Sequence, residues 1–449
     1  MTTPAQPEPS GIAGRGSFFA VDRRTWSRAC ALGLNPAVAY LVLARGSGPD
    51  QRTTSWSVHA IEERTSVARP RAKKAIESLE RASLVRITQR GTRPRYYIVP
   101  AHEVPGCEGY PPPALDSVEQ KVFDWLAAGH HYVPKSIGNS RSYSGLTAAE
   151  ELESRNWGTW WPRQIADQLV RKGRARHTGG GTYVPICYDA EAAAKPDWIW
   201  LPNALVDGAG DNLVPPLELV RQTQNPAALR LLIDLYHAQE LASDGGIHWR
   251  SVRQSFVRHV VGQRGPYVVY GFSPDEEQAW ADKPFVRAHM TGEMDEGADG
   301  KQDRGWRVFW TAWNELIRLG LVELVGHVVE ADTDQAEVMH PYAVGNGEPA
   351  ERRIARAAHQ AGLAMLTAGQ QQWAEDRGLR LVPVRAHITG AQMVGIARLR
   401  YRPRTSATAA WFARMPEWDE MAARLTELAL TEARGARPRL DMQHQGASR

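Results

Sequence analysis

The sequence predicts an α+β protein, mainly helical, in which one helix-and-hairpin unit occurs twice in tandem and a small α/β unit follows. Two observations carry this. Between Asn35 and Val99 the apolar residues keep a helical period through three short stretches and then a strand period through two, and the same succession begins again at Asn225. The 449 residues predict about two to four domains. A content of 43% hydrophobic and 23% charged residues is that of a chain able to bury real cores, which excludes wholesale disorder.

Residues 1–16, rich in Pro, Gly and Ser with no apolar repeat, read as a disordered tail. Phe18-Phe19-Ala20-Val21 is a strand-like run, and Trp26 to Leu32 gives one or two turns of helix. Asn35-Pro36 opens a helix through Leu43: Asn35 is suited to accept from the free N–H groups of the first turn, and Pro36 sits where no donor is needed. Ser57 to Arg64 forms a second helix. A third runs from Pro70 to Ala82, with Ala72, Ile76 and Leu79 on one face and Arg71, Lys74 and Ser78 on the other. Leu84 to Thr88 and Arg95 to Val99 are strands joined by a turn at 89–94. Three helices followed by a hairpin is the order of a winged helix (a helix-turn-helix variant), so residues 17–100 are expected to form a first such domain.

Residues 101–196 form a middle segment, with helices at 118–127 and 162–172 and a hairpin around Gly179-Gly180-Gly181; it reads as a third, degenerate winged helix. The second domain is expected over 197–345. Trp198 to Leu201 repeats the opening strand, Asn225-Pro226-Ala227 repeats Asn35-Pro36-Ala37, and Leu316, Arg318, Leu321 and Val322 repeat the offsets of Leu79, Arg81, Leu84 and Val85. The longer spacing in the second copy is assigned to an acidic insertion at 262–303, placed on a surface loop. Residues 346–435 are expected to be a separate α/β domain: a long helix 352–373, strands 379–388 and 393–401, and a final helix 407–433. Residues 436–449 read as a tail.

Net charge is only +4, but it is unevenly placed. Between Arg52 and Arg95 there are eleven basic residues against four acidic, while 275–303 carries nine acidic against three basic. A helix laid in the DNA major groove needs long donor side chains near its N-terminus, because base edges offer acceptors there and phosphates flank them. Arg69, Arg71, Lys73 and Lys74 meet that need, with Ser78 further along the same face. Arg90, Arg93 and Arg95 add a compact cationic tip at the hairpin turn, suited to the neighbouring minor groove or backbone. In the second copy the corresponding candidates are Arg304, Arg307, Thr311 and Asn314. In the middle segment Arg163, Arg171, Lys172, Arg174 and Arg176 form another basic patch, suited to track phosphates or to complement a helix C-terminus.

Enzyme signatures are missing. There is no G-x-x-x-x-G-K-[ST], and the three-glycine run lacks the lysine that reaches phosphates. Cys30, Cys107 and Cys187 stand far apart with no C-x-x-C pair, which suggests packing residues and neither disulfides nor a zinc site. No window approaches the ~18 unbroken apolar residues of a membrane helix, and the start has no apolar signal core. The expectation is a cytoplasmic protein, not an enzyme, with no catalytic residue, cofactor or metal.

The run Trp198-Ile-Trp-Leu-Pro-Asn-Ala-Leu followed by Asn225-Pro-Ala-Ala-Leu-Arg-Leu-Leu resembles the opening of winged-helix domains in plasmid and phage replication proteins. Two such domains in tandem resembles the plasmid replication initiators that bind repeated origin sites. The resemblance covers roughly 17–100 and 197–330; the middle segment, the acidic insertion and the C-terminal unit are extra. It implies sequence-specific double-stranded DNA binding at an origin or operator, with replication or transcription proteins and a second copy of the chain as further partners. A transcriptional repressor shares this chemistry. A winged-helix protein adaptor with an acidic loop is the reading from a different class.

Overall fold

A computed structural model describes residues 18–108, 110–111, 114–128, 161–179, 182–208, 214–240, 246–249, 251–275, 284–290, 295–296, 302–303, 306–333, 335–401 and 406–435. Their secondary structure is mixed α and β. The first unit runs β1 (Phe18–Asp22), α1 (Arg23–Ala31), α2 (Leu34–Arg45), β2 (Thr53–Thr54), α3 (Val58–Thr65), α4 (Arg69–Arg81), β3 (Val85–Gln89) and β4 (Arg95–Ile98). Its strands make an antiparallel sheet of order β2-β4-β3. Every residue of α2 from Ala37 to Ala44 is buried, the position of a helix that is apolar all round. Its start differs from the expectation: Gly33, at φ 105°, stands before a helix that begins at Leu34, so Asn35 lies inside the first turn and does not cap it. On α4 the buried residues are Ala72, Ala75, Ile76 and Leu79, the stripe that helical periodicity requires.

The turn after α4 is a Schellman close, with Ser83 N–H donating to Glu80 O at 2.9 Å and Leu84 N–H to Leu79 O at 2.9 Å. It recurs along the chain. In the middle segment α5 (Ser117–Ala127) is followed by α6 (Trp161–Arg171), β5 (Ala175–Gly179), β6 (Thr182–Pro185) and α7 (Ala190–Ala194). There Gly173 donates to Val170 O at 3.0 Å and Arg174 to Leu169 O at 2.7 Å. Leu169, Ile165 and Ala166 pack on Val122, Phe123, Leu126 and Tyr183 in a core of their own.

The second unit opens with β7 (Trp198–Pro202), α8 (Ala204–Asp207), α9 (Pro216–Gln222), α10 (Pro226–His237) and β8 (Gly246–Ile247). After β9 (Arg253–Arg264), β10 (Tyr267–Pro274), α11 (Pro284–Arg287), β11 (Asp295–Glu296) and β12 (Gln302–Asp303) come α12 (Trp306–Arg318), β13 (Val322–Val329) and β14 (Val338–Tyr342). Here Gly320 donates to Ile317 O at 2.8 Å and Leu321 to Leu316 O at 2.9 Å, the third instance of the same close. Asn225 does cap α10, accepting from Ala227 and Ala228, while its Nδ2 donates to Glu315 on α12 at 2.7 Å. β1 pairs antiparallel with β7, Phe18 opposite Pro202 through Asp22 opposite Trp198. One apolar core runs through both units, joining Trp26, Tyr40 and Leu79 to Leu229, Phe309 and Trp313.

The rest of the chain is α13 (Pro349–Ala364), α14 (Ala368–Asp376), β15 (Arg380–Arg385), β16 (Gln392–Leu399), α15 (Ser406–Ala413) and α16 (Met415–Gly435). Two expected long helices are therefore each divided. The first breaks at 365–367, where Thr367 starts α14 with a capping box to Gln370. The strand that completes the second unit is β16. In the first unit Val85 faces Ile98 and Thr53 faces Tyr97; in the second Val322 faces Leu399 and Gly246 faces Arg398. Val99 N–H donates to Leu84 O at 3.0 Å, and Arg400 N–H to Leu321 O at 3.0 Å. β16 thus holds the place of β4.

Two expected divisions do not hold. A boundary between 345 and 346 would cut one sheet, of order β14-β13-β16-β9-β10-β15 with β8 also on β16. Residues 262–274 are not surface loop either, because β9 and β10 carry them into that sheet and bury Val269, Tyr270 and Phe272. The sheet curls: the hydroxyl of Tyr342 on β14 donates to Leu381 O on β15 at 3.3 Å. α13 packs against both of these strands, with α16 along its back. Ala355 and Ala358 of α13 meet Phe256, Phe272, Val328, Val382 and Met393 in the interior.

Arg398 on β16 is fully buried, as are Glu351 on α13 and His327 on β13. Its guanidinium grips Glu351 with two bonds of 2.8 Å and donates to His327 Nε2 at 3.0 Å, so His327 carries its proton on Nδ1, bonded to Val325 O at 3.0 Å. Burial raises the carboxyl pKa of Glu351, but the Arg398 hydrogen bonds and charge outweigh it, and the net direction is down. Stability from this group is then present above the ordinary pKa of 4.5 and lost as pH falls through the lowered value. Burial also lowers the pKa of His340, so folding disfavours its charged form and begins to weaken below about 6.5.

Two outcomes follow for unfolding. Glu351→Gln strands a buried arginine and costs about 3–5 kcal/mol, with a smaller penalty at acidic pH, where the wild type has lost the same interaction. Ser83 sits at φ 59° without being glycine, so Ser83→Gly stabilises the chain by about 1 kcal/mol. Thermal and urea unfolding of the two variants check both.

Candidate nucleic-acid interface

α4 follows a tight turn, Thr65 to Ala68, and has Pro70 in its first turn. No side chain caps it and no acidic residue lies in its first turn. Arg69, Arg71, Lys73 and Lys74 are all exposed on its outer side. Ser78, on the same side, is half-buried, and its hydroxyl donates to Lys74 O at 2.9 Å, back into its own helix. Between β3 and β4 the chain turns at Gly91, φ 129°, and Arg90, Arg93 and Arg95 stand exposed around it. Helix and turn meet along a groove lined by Arg69, Lys73, Glu77, Ile87, Arg90 and Tyr96.

The charges of this unit divide into two kinds. Arg24 pairs with Asp22 at 2.8 Å, Arg64 with Asp207 at 2.7 Å, and Arg45 with the same Asp207. These arginines tie α1, α2 and α3 to their surroundings. Among the described residues none of Arg69, Arg71, Lys73, Lys74, Arg93 or Arg95 has a carboxylate within 4.0 Å, and Arg90 only approaches Glu80 at 3.9 Å. Uncompensated cations on a helix and a neighbouring turn set up a local positive potential that attracts a polyanion.

Glu77 is not among the candidates read from the sequence, which are chosen as donors and so include hydroxyl and amide side chains but no carboxylate. Glu77 is exposed in the same groove, four residues from Lys73, and a carboxylate there is able to accept from a cytosine amino group. Helical periodicity alone puts it on the outer face.

The second unit is different. By the shared Schellman close, Lys74 corresponds to Thr311 and Glu77 to Asn314. Arg307, Thr311 and Asn314 are exposed on α12, and Arg304 lies outside the described residues. Ile317, also on α12, is 38% exposed. The hairpin tip has no counterpart, since β13 continues buried to Val329 and into the larger sheet. The middle patch divides as well. Lys172 Nζ bonds the buried Glu119 at 2.6 Å, and the Arg174 guanidinium lies 4.8 Å from the Phe123 ring, so both hold the small core together. Arg171 and Arg176 are exposed, and the side chain of Arg163 lies outside the described residues.

Among the described residues no group of His, Cys, Asp or Glu is arranged to hold a metal ion, and no helix is long and apolar enough to cross a membrane. Cys30 is half-buried and Cys107 buried, while Cys187 is exposed and so is not the packing residue expected. No family model matches the chain, and neither a curated protein nor a solved structure does.

Lys172→Ala is expected to destabilise the middle unit by about 1–3 kcal/mol by leaving Glu119 without its cation. Arg176→Ala is expected to stay within about 0.5 kcal/mol of wild type. Urea unfolding of the two variants separates the structural from the solvent-facing part of that patch.

Proposed function

We propose that the chain binds double-stranded DNA in a sequence-specific manner through winged-helix units, at an origin or operator, with α4 in the major groove and the turn 90–95 on the adjacent backbone or minor groove. The observation that carries this reading is the set of seven exposed basic residues on α4 and the β3–β4 turn. Three of them, Arg69, Lys73 and Arg90, line one groove together with Glu77 and Glu80, and apart from Arg90, which lies 3.9 Å from Glu80, none has a carboxylate within 4.0 Å among the described residues, whereas the other arginines of the unit named above are paired more closely. A helix face with Arg71, Lys74 and Glu77 supplies donors and an acceptor to base edges; Arg93 and Arg95 supply charge to phosphates.

The second unit supports a longer site. An antiparallel strand pair has a local two-fold axis, and the pair here is made of the opening strands of the two units. α12 then follows α4 as a second, less charged reading element, contacting bases through Arg307, Thr311 and Asn314. No chemistry on the DNA is invoked: the proposed role is recognition. Initiation at an origin and repression at an operator use the same contacts and differ in what is recruited.

Titration of labelled duplex against variants tests the reading. Arg71→Ala/Lys74→Ala is expected to lower affinity for a selected site by about 1–3 kcal/mol per lost base contact, with little change for random duplex. Arg93→Ala/Arg95→Ala is expected to weaken both duplexes alike and to reduce the slope of log K against log salt by roughly 2. Unchanged affinity in both double variants contradicts the assignment of α4 and the turn.

A further inference from the structure

The seam where the curled sheet stays open, between β14 and β15, contains a cavity of about 650 Å³. That lies within the range of small-ligand sites, about 300–1,000 Å³. One wall is a single face of α13, with Arg352, Arg356 and His359 at successive turns; the opposite wall is the end of α14 and the start of β15, with Glu375 and Arg380. Tyr342 closes the floor.

The polar groups of this cavity are mostly donors. Arg380 is half-buried, its guanidinium 4.8 Å from the Phe256 ring, and no carboxylate of the described residues lies within 4.0 Å of it. Burial lowers its pKa, the direction for a cation whose charge the fold does not balance. Arg356 is exposed at the cavity and likewise has no carboxylate partner among the described residues, and Arg352 donates from Nη1 to Gly347 O at 2.7 Å. His359 Nδ1 accepts from Leu381 N–H at 3.2 Å, so the proton of the neutral ring is on Nε2. Against three arginines and this N–H stands Glu375 alone, which forms no ion pair with any of them.

The same domain shows how it treats a buried arginine that serves structure alone: Arg398 has Glu351 on two bonds of 2.8 Å. Arg380 has no such partner and faces a cavity. A planar guanidinium fork matches the oxygens of a phosphate or carboxylate, and convergent forks in a concave, partly apolar site favour an anion from solution. We propose that this cavity is a binding site for a small, soluble, phosphate-bearing anion, held by Arg352, Arg356 and Arg380. The site is separate from α4 and needs no DNA.

Thermal unfolding of the full chain in inorganic pyrophosphate, with ionic strength held constant by sodium chloride, tests this. The expected result is a saturable rise in the midpoint whose apparent affinity is about tenfold weaker in Arg356→Ala and which is abolished in Arg380→Met. Arg356 is exposed, so its variant remains informative even where Arg380→Met fails to fold. Arg71→Ala/Lys74→Ala is expected to keep the full response, which separates this site from the proposed DNA interface. A midpoint that does not saturate overturns the proposal, as does a response unchanged in Arg356→Ala or one lost in Arg71→Ala/Lys74→Ala.

Discussion

The structure depends on β16 being paired along both edges, and on the buried arginine it carries. Along one edge lies β13; along the other lie β8 and then β9. The C-terminal half of β16 closes the second helix-and-hairpin unit, and its N-terminal half lies inside the curled sheet. Arg398 sits in the closing half and binds Glu351 of the helix that packs against both strands of the seam. A bidentate buried pair of this kind is costly to break and geometrically specific. It therefore fixes α13 against the strand shared by the two parts. The larger sheet is built around the hairpin of the second unit: β14 and β15 lie between β13 and β16 in the chain, while β9 and β10 come before α12.

That arrangement explains why the two units differ in chemistry. In the first, the hairpin is short and ends in a cationic turn beside α4. In the second, the same position continues into a buried sheet, so no tip is left to touch a backbone. The proposed DNA interface is accordingly asymmetric: strong charge on the first unit, and on the second a helix that presents Arg307, Thr311 and Asn314. The Schellman close ends α4, α6 and α12 but α14 as well, so it marks a helix ending and not the unit; in the middle segment Lys172 and Arg174 are turned to holding the core.

What was legible in the sequence was local. The stripe Ala72, Ile76, Leu79 and the offsets of Leu79, Leu84 and Val85 against Leu316, Leu321 and Val322 reflect helix period and the geometry of one tight turn, which neighbouring residues determine. The exposed basic set on α4 and at 90–95 was legible for the same reason. Pairings across long separations were not. β16 reaches β13 over some seventy residues, and nothing in the run Gln392 to Leu399 names its partner. β9 and β10 were hidden because acidic residues just beyond them suggested a loop throughout. Lys172 looked like surface charge until Glu119, distant in sequence, was placed beside it. Asn35 shows the limit of a local rule: Asn-Pro caps α10 but not α2, where Gly33 had already turned the chain.

The central claim is that α4 and its neighbouring turn recognise duplex DNA by sequence. Selection of bound duplexes from a random library by the intact chain, followed by sequencing, tests it most directly. The account predicts enrichment of direct repeats or of one asymmetric site spanning about two major-groove segments, with the strongest preferences where α4 docks. An absence of any enriched sequence would contradict it and turn attention to a protein partner for the same basic surface.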